Sequence, residues 1–300
     1  GGCNTAIGWQ ALTANTTASA NTAVGNGALA DNTTGTANTA IGKSALYYNT
    51  TGSCNMAFGG AALLNNTEGL DNIAMGLVSL CCNTTGDNNV AIGSCALRAN
   101  TTPSNNTAVG YSSLCANTTG GTNSAFGGYS MATNTTGFGN TAVGKNSLYT
   151  NNGNNNTAVG HEALELNSSG SCNVAVGRQA LENNTTASNN TAVGYYSLFA
   201  NTTSDNNTAV GYFALKANTT GQTNTAFGGY SMATNTTGFG NTAVGKNSLY
   251  TNNGNNNTAV GHEALELNTS GASNVAVGYQ ALEANTTGAC NVAVGKGSLD

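Results

Sequence analysis

Asn4-Thr-Ala-Ile-Gly8 decides the fold, because the same five-residue pattern returns every 17 residues along the chain. Its Asn recurs at Asn21, Asn38, Asn55, Asn72, Asn89, Asn106, Asn123 and Asn140, then after a step of 16 at Asn156, and again at Asn173. It runs on through Asn190, Asn207, Asn224 and Asn241, takes a second 16-residue step to Asn257, and reaches Asn274 and Asn291. That makes 18 starts. A fixed short period is the signature of a stacked architecture, in which each repeat is one structural unit touching its neighbours.

With that Asn as position 1, the copies show which positions the geometry fixes. Position 1 is always Asn, position 3 Ala and position 5 Gly; position 4 is always apolar, as in Ile7, Val24, Phe58 and Met75. Position 8 is Ala or Ser, position 9 is Leu except at Met131 and Met232, and position 12 is Asn wherever the chain reaches it. Positions 6, 7, 10 and 11 vary and hold most of the Tyr, Lys, Glu, His and Trp. Residues 125–167 also match 226–268 without a difference, at an offset of 101 residues, five 17-residue units plus one of 16.

A helical repeat is excluded by the recurring Gly and the Asn-Thr-Thr cluster, both weak in helix interiors. The pattern predicts two short strands per coil, at positions 1–5 and 7–11, with Asn-Thr-Thr-Gly turning the chain at positions 12–15. The fold expected is all-β, a parallel β-solenoid (β-roll) of about 18 coils and a single continuous segment over residues 1–300. Leu12, Leu29 and Leu46 should stack in one column, and Asn4, Asn21 and Asn38, like Asn15, Asn32 and Asn49, should form ladders between coils. The apolar residue at position 4 is expected to join Leu in the core, with Ala and Gly small because another backbone approaches. The two short coils are expected to be absorbed in the turns Asn151–Asn155 and Asn252–Asn256, since a slip inside a strand would turn every later side chain over.

Composition removes several functions. Only 6% of the residues are charged and the net charge is −5, so no clustered basic face exists to neutralise nucleic-acid phosphates. No apolar window is long enough to span a membrane as a helix. The chain begins and ends within a repeat and reads as an excerpt of a longer protein.

Asn-Thr-Ala-Val-Gly followed by a small residue resembles the head repeat of trimeric autotransporter adhesins, a parallel β-roll of similar segments. Units such as Tyr195-Tyr196-Ser197-Leu198 with Asn201-Thr-Thr also look like repeats of bacteriophage and giant-virus fibre proteins. The adhesin repeat is shorter than 17 residues, so this chain departs from it in the second turn. The resemblance implies an extracellular, cell-surface or virion-surface location, an adhesive role and three chains per assembly.

No catalytic constellation, cofactor or metal site is expected, and the chain is not read as an enzyme. His161 and His262, each followed by Glu, sit at equivalent variable positions of the duplicated block and lie too far apart to share a metal. Asp forms no column for calcium. The eight cysteines lack a Cys-x-x-Cys pair and are read as small buried hydrophobes, four of them (Cys3, Cys54, Cys172, Cys290) at position 17. Asn15, Asn32, Asn49, Asn83, Asn100 and Asn117 are possible glycosylation acceptors, set against plain turn chemistry.

The function expected is a rigid, multivalent segment of a fibre that self-associates and touches a host-surface or matrix ligand through many weak contacts. Eighteen coils spaced by about 4.8 Å would present roughly 850 Å² of nearly uncharged face, more than ordinary monomers leave bare. Ice binding by the position-2 Thr column is the alternative, interrupted at Met56, Ile73, Val90, Val174, Val275 and Val292.

Overall fold

The computed structural model describes residues 1–299, among which there is no helix. The chain divides into two compact units, Gly1–Asn152 and Gly153–Asp300. The first contains nine three-residue strands, from β1 (Thr5–Ile7) to β9 (Thr141–Val143); the second contains nine more, from β10 (Thr157–Val159) to β18 (Val292–Val294). Within each unit successive strands pair in parallel and in register, so that Thr22 faces Thr39 and Ala23 faces Ala40. Each unit is therefore a parallel β-solenoid, as the period predicts.

Each coil has one strand, at positions 2–4, and not the two expected. Positions 7–11 are a turn, because positions 7 and 9 lie in the left-handed region: Ser44 has φ 56° and Leu46 φ 50°. A left-handed Leu costs roughly 1–2 kcal/mol. The surroundings offset that cost by burying the side chain completely and by keeping the backbone paired between coils, with Leu29 N–H donating to the Ala45 carbonyl and Leu46 N–H to that of Ala62. Leu12, Leu29 and Leu46 do form one buried column, at 8%, 0% and 0% exposure. Each buried Leu contributes roughly 1.5–3 kcal/mol.

Position 4 is not in the core. Strand side chains alternate, and here Ala at position 3 points inward while positions 2 and 4 point out: Ala57 is 0% exposed, and its neighbours Met56 and Phe58 are 42% and 46% exposed. The interior already holds a Leu from the opposing turn and two Asn side chains, which leaves room across from them for a methyl group only. Gly42 shows the complementary constraint at position 5. Its φ is +135°, and a Cβ there would lie 2.5 Å from the Gly59 carbonyl oxygen of the next coil.

Two asparagine ladders occupy the ends of the core, their side-chain amides bonded both within and between coils. The Asn38 N–H donates to Asn21 Oδ1 at 2.9 Å, and Asn38 Nδ2 donates to the Gly52 carbonyl at 2.8 Å. Asn49, at position 12, donates to the same Gly52 carbonyl at 2.9 Å and to Asn32 Oδ1 at 2.8 Å. One glycine carbonyl thus ties both ladders together in each such coil. Asn4 belongs to the first ladder, its Oδ1 accepting from Asn21 N–H at 2.9 Å, and Asn15 donates to the Ala18 carbonyl at 3.4 Å. The threonine after position 12 adds a third series: Thr33 Oγ1 donates to the Thr50 carbonyl, and Thr50 Oγ1 to that of Thr67, each at 3.0 Å.

In the second unit the short coil is absorbed as expected. The strand β15 (Thr242–Val244) pairs with β16 (Thr258–Val260) without a slip, Ala243 facing Ala259, although the partners are one residue closer in sequence than elsewhere. Within the lost turn Asn252 donates to the Gly254 carbonyl at 2.9 Å, so the ladder closes over a gap of two residues in place of three. Val143 and Val159 are each the outward residue of their own strand.

Candidate binding surfaces

Two kinds of surface leave the coils with chemistry on offer. One is the outer sheet face, made of positions 2 and 4. In the first unit it exposes Phe58, Met75, Ile92 and Phe126; in the second, Phe227, Val244, Val260 and Val277. No charged residue occurs at either position in any coil. Nine coils at about 4.8 Å and a face about 10 Å wide give roughly 430 Å² per unit, within the range of patches that usually have a role in monomeric proteins.

The second surface is the turn edge formed by positions 6, 7 and 10. In the second unit it is aromatic. Tyr195 and Tyr212 stack with ring centroids 5.4 Å apart and planes 7° apart, and Tyr212 meets Tyr230 edge-on at 5.3 Å. Phe213 lies 5.5 Å from Tyr230, and the Lys216 ammonium sits 4.5 Å over the Phe213 ring. A cleft of about 330 Å³ opens between Phe213, Lys216, Tyr230, Thr234 and Tyr250. Beside it, Tyr230 and Tyr250 also line a second hollow with Lys246, Asn247 and Glu266. The rings gather because coils about 4.8 Å apart hold equivalent side chains at stacking distance. Partial desolvation and then the Tyr230 hydroxyl push the Tyr212 phenol above its ordinary pKa.

Further along the same edge, Glu263, Glu266 and Glu283 bring carboxylate oxygens within 4.8 Å of one another. Burial first, and then Glu263 and Glu283, hold Glu266 above the usual carboxylate range. The duplicated block places Glu162 and Glu165 at the positions of Glu263 and Glu266, and Glu182 follows in the next coil as Glu283 does; Glu182 is raised likewise, by burial and then by Glu162 and Glu165. This grouping was missed in the sequence, where the carboxylates are three and 17 residues apart; laying coil upon coil at positions 7 and 10 would have found it.

His161 and His262 are part-exposed and each pairs with its own neighbour, Nδ1 lying 3.2 Å from Glu162 and 3.3 Å from Glu263. The ring of His262 also stacks on Tyr279 at 5.6 Å.

The glycosylation expectation is corrected. Asn32, Asn49, Asn83, Asn100 and Asn117 are fully buried, and their Nδ2 groups donate into the ladder. A glycan on those nitrogens would break the hydrogen bonds and has no space inside the coil. Asn15, in the first coil, is half-buried in the same orientation.

The cysteines are corrected as well. Cys3, Cys54, Cys172 and Cys290 are exposed, and Cys81, Cys82, Cys95 and Cys115 are half-buried. Position 17 is a left-handed corner, with φ 60° at Cys54, which turns its side chain out. The apolar residues that follow these cysteines (Met56, Val174, Val292) are exposed too, so the shared apolar character belongs to the outer face.

The fold and its surfaces define a repetitive parallel β-solenoid with uncharged outer stripes. Compared with known proteins, the chain matches no protein-family model and no curated sequence.

Proposed function

We propose that this chain is a structural and adhesive segment of an extracellular or virion-surface fibre, self-associating through its outer sheet face and meeting a host-surface or matrix ligand along its turn edge. The observation that carries the reading is the outer stripe: aromatic and aliphatic side chains such as Phe58, Phe126 and Phe227 stand 42–53% exposed on a face without a charge. Water contact there is costly at roughly 25 cal/mol per Å² of apolar area, and a second copy of the chain offers a matching uncharged surface. Three chains is the number supported by the resemblance to autotransporter adhesin heads. Buried polar ladders suit such a part, because stiffness comes from hydrogen bonds repeated in every coil.

The turn edge supplies the contacts to other surfaces. Each coil presents a few exposed side chains, so a single contact is weak and the repeated array gains avidity. Adhesion is tested by retention of protein-coated beads on immobilised cell-surface or matrix material. Wild-type protein should be retained more strongly than the Tyr212→Ser/Phe213→Ser/Tyr230→Ser variant; equal retention would refute the assigned edge.

Ice binding has one observation in its favour, the run of outward threonines Thr191, Thr208, Thr225, Thr242 and Thr258. Phe227 projects from the middle of that run, 53% exposed, and spoils a flat lattice match. A thermal-hysteresis assay separates the two readings.

A further inference from the structure

Position 10 of four successive coils in the second unit carries Phe199, Lys216, Ala233 and Tyr250. Ala233 offers only a methyl group there, and the cleft of about 330 Å³ opens over it. Lys216 and Tyr250 bound the cleft along the column, Phe213 and Tyr230 line it from position 7, and Thr234 completes it. The gap comes from side-chain size, since position 10 holds an aromatic ring at Tyr47, Phe199 and Tyr250. Its volume is at the lower end for small-molecule sites, which suits one ring of a ligand.

The lining joins ring faces to one cation. Lys216 Nζ lies 4.5 Å over the Phe213 ring and 5.8 Å from that of Tyr196. Among the described residues no carboxylate pairs with it, and its column neighbours Phe199 and Ala233 are uncharged. The rings hold the ammonium in place and leave its hydrogens for an anion. Thr234 Oγ1 donates to the Tyr250 carbonyl at 2.8 Å, so its lone pairs remain to accept from a ligand hydroxyl.

We propose that this cleft binds a carboxylate-bearing sugar ring of an acidic glycan. The ring lies against Phe213, Tyr230 and Tyr250, and its carboxylate accepts from Lys216 Nζ. The assignment rests on the reading of the turn edge as the ligand-binding surface, and narrows that ligand to one class. Polarised C–H bonds on a sugar face meet the negative faces of aromatic rings. Lys216 and Tyr250 stand two coils apart, about 9.6 Å at the coil spacing. A flat ring midway would lie about 4.8 Å from each column, beyond the 3.5–4.0 Å of carbon contact; a puckered ring with hydrogens and hydroxyls on both faces fills the difference. The first unit supplies an internal comparison. Tyr129, Ala132, Thr133 and Tyr149 repeat Tyr230, Ala233, Thr234 and Tyr250, but Ser112 and Cys115 replace Phe213 and Lys216. The acid-binding cleft is therefore assigned to the second copy alone.

Methyl β-glucuronide and methyl β-glucoside, alike except for the carboxylate, are the probes. Saturation-transfer NMR on the 300-residue chain should show the glucuronide binding at least fivefold more tightly at low salt. Lys216→Met keeps the aliphatic stem and should abolish that preference while glucoside binding persists. Ala233→Phe fills the gap with a ring that position 10 accepts in other coils, and should abolish binding of both sugars; matching circular dichroism shows that the variants fold. Equal affinity for the two sugars, or an unchanged preference in Lys216→Met, would overturn the proposal. So would a tetraglutamate peptide that outcompetes the glucuronide, since the site would then read charge and not the sugar ring. If neither sugar binds while bead retention still depends on Tyr212, Phe213 and Tyr230, the proposal falls and the reading of the edge stands.

Discussion

The side-chain amide of Asn49 donates at once to the carboxamide oxygen of Asn32 in the preceding coil, at 2.8 Å, and to the carbonyl of Gly52 in its own coil, at 2.9 Å. Its own oxygen accepts from Asn66 at 2.8 Å. A core with one Leu and two Asn per coil holds only because those amides satisfy each other, since an unpaired buried polar group costs about 1–3 kcal/mol.

Asn49→Ala should therefore destabilise the first unit by roughly 2–5 kcal/mol, from two stranded partners and a small cavity. Urea unfolding measures it. Asn49→Asp keeps the shape but removes both donors, so its buried carboxyl must stay protonated. Its folded-state pKa is then raised, and the variant should lose stability as pH rises above the ordinary carboxylate range. A variant equally stable at low and neutral pH would contradict the ladder.

Gly42→Ala should be strongly destabilising. The backbone there has φ +135°, and the new methyl would meet the Gly59 carbonyl at 2.5 Å, so the cost is on the order of 1–3 kcal/mol or more. Gly128→Ala is the control, with nothing within 4 Å of its Cβ position. Hydrogen exchange should show faster opening of the coils around residue 42 in the first variant and none in the second.

Glu266 titrates above its ordinary 4.5 because burial, then Glu263 and Glu283, disfavour the charge. A carboxyl whose folded pKa is raised binds more protons when folded, so its ionisation lowers stability as pH rises from the unfolded to the folded value. Glu266→Gln should then raise the melting temperature at neutral pH, with the gain shrinking as pH falls toward 4.5. An equal gain at both pH values would point to packing, not charge.

The periodic parts of this fold are legible in the sequence. The 17-residue step, the Leu column and both Asn ladders follow from identical residues returning at identical positions. The turn at positions 7–11 was not legible, because an apolar Leu flanked by variable residues reads as extended chain, and nothing in the residue type announces φ near +50° at Leu46. The face of position 4 was equally hidden. In a three-residue strand with Ala at the centre and Val or Phe beside it, both faces look apolar, and only the volume filled by the opposing Leu decides that Ala goes inside. The aromatic edge and the carboxylate cluster appear only when coils are superposed, since Tyr195 and Tyr212, or Glu266 and Glu283, are distant in sequence and adjacent in space.

The measurement that bears most directly on the fibre reading is the mass of the reduced segment in solution by light scattering, at several concentrations, beside a variant carrying Phe58→Asp, Phe126→Asp and Phe227→Asp. Those side chains are solvent-facing in a single chain, so the substitutions leave the coil interior untouched. The account predicts a wild-type mass of a multiple of 29.7 kDa, three chains being the expected number, and a shift of the variant toward the single-chain mass. A wild-type protein that stays soluble and monomeric at every concentration, with its outer stripe bare to water, would contradict it.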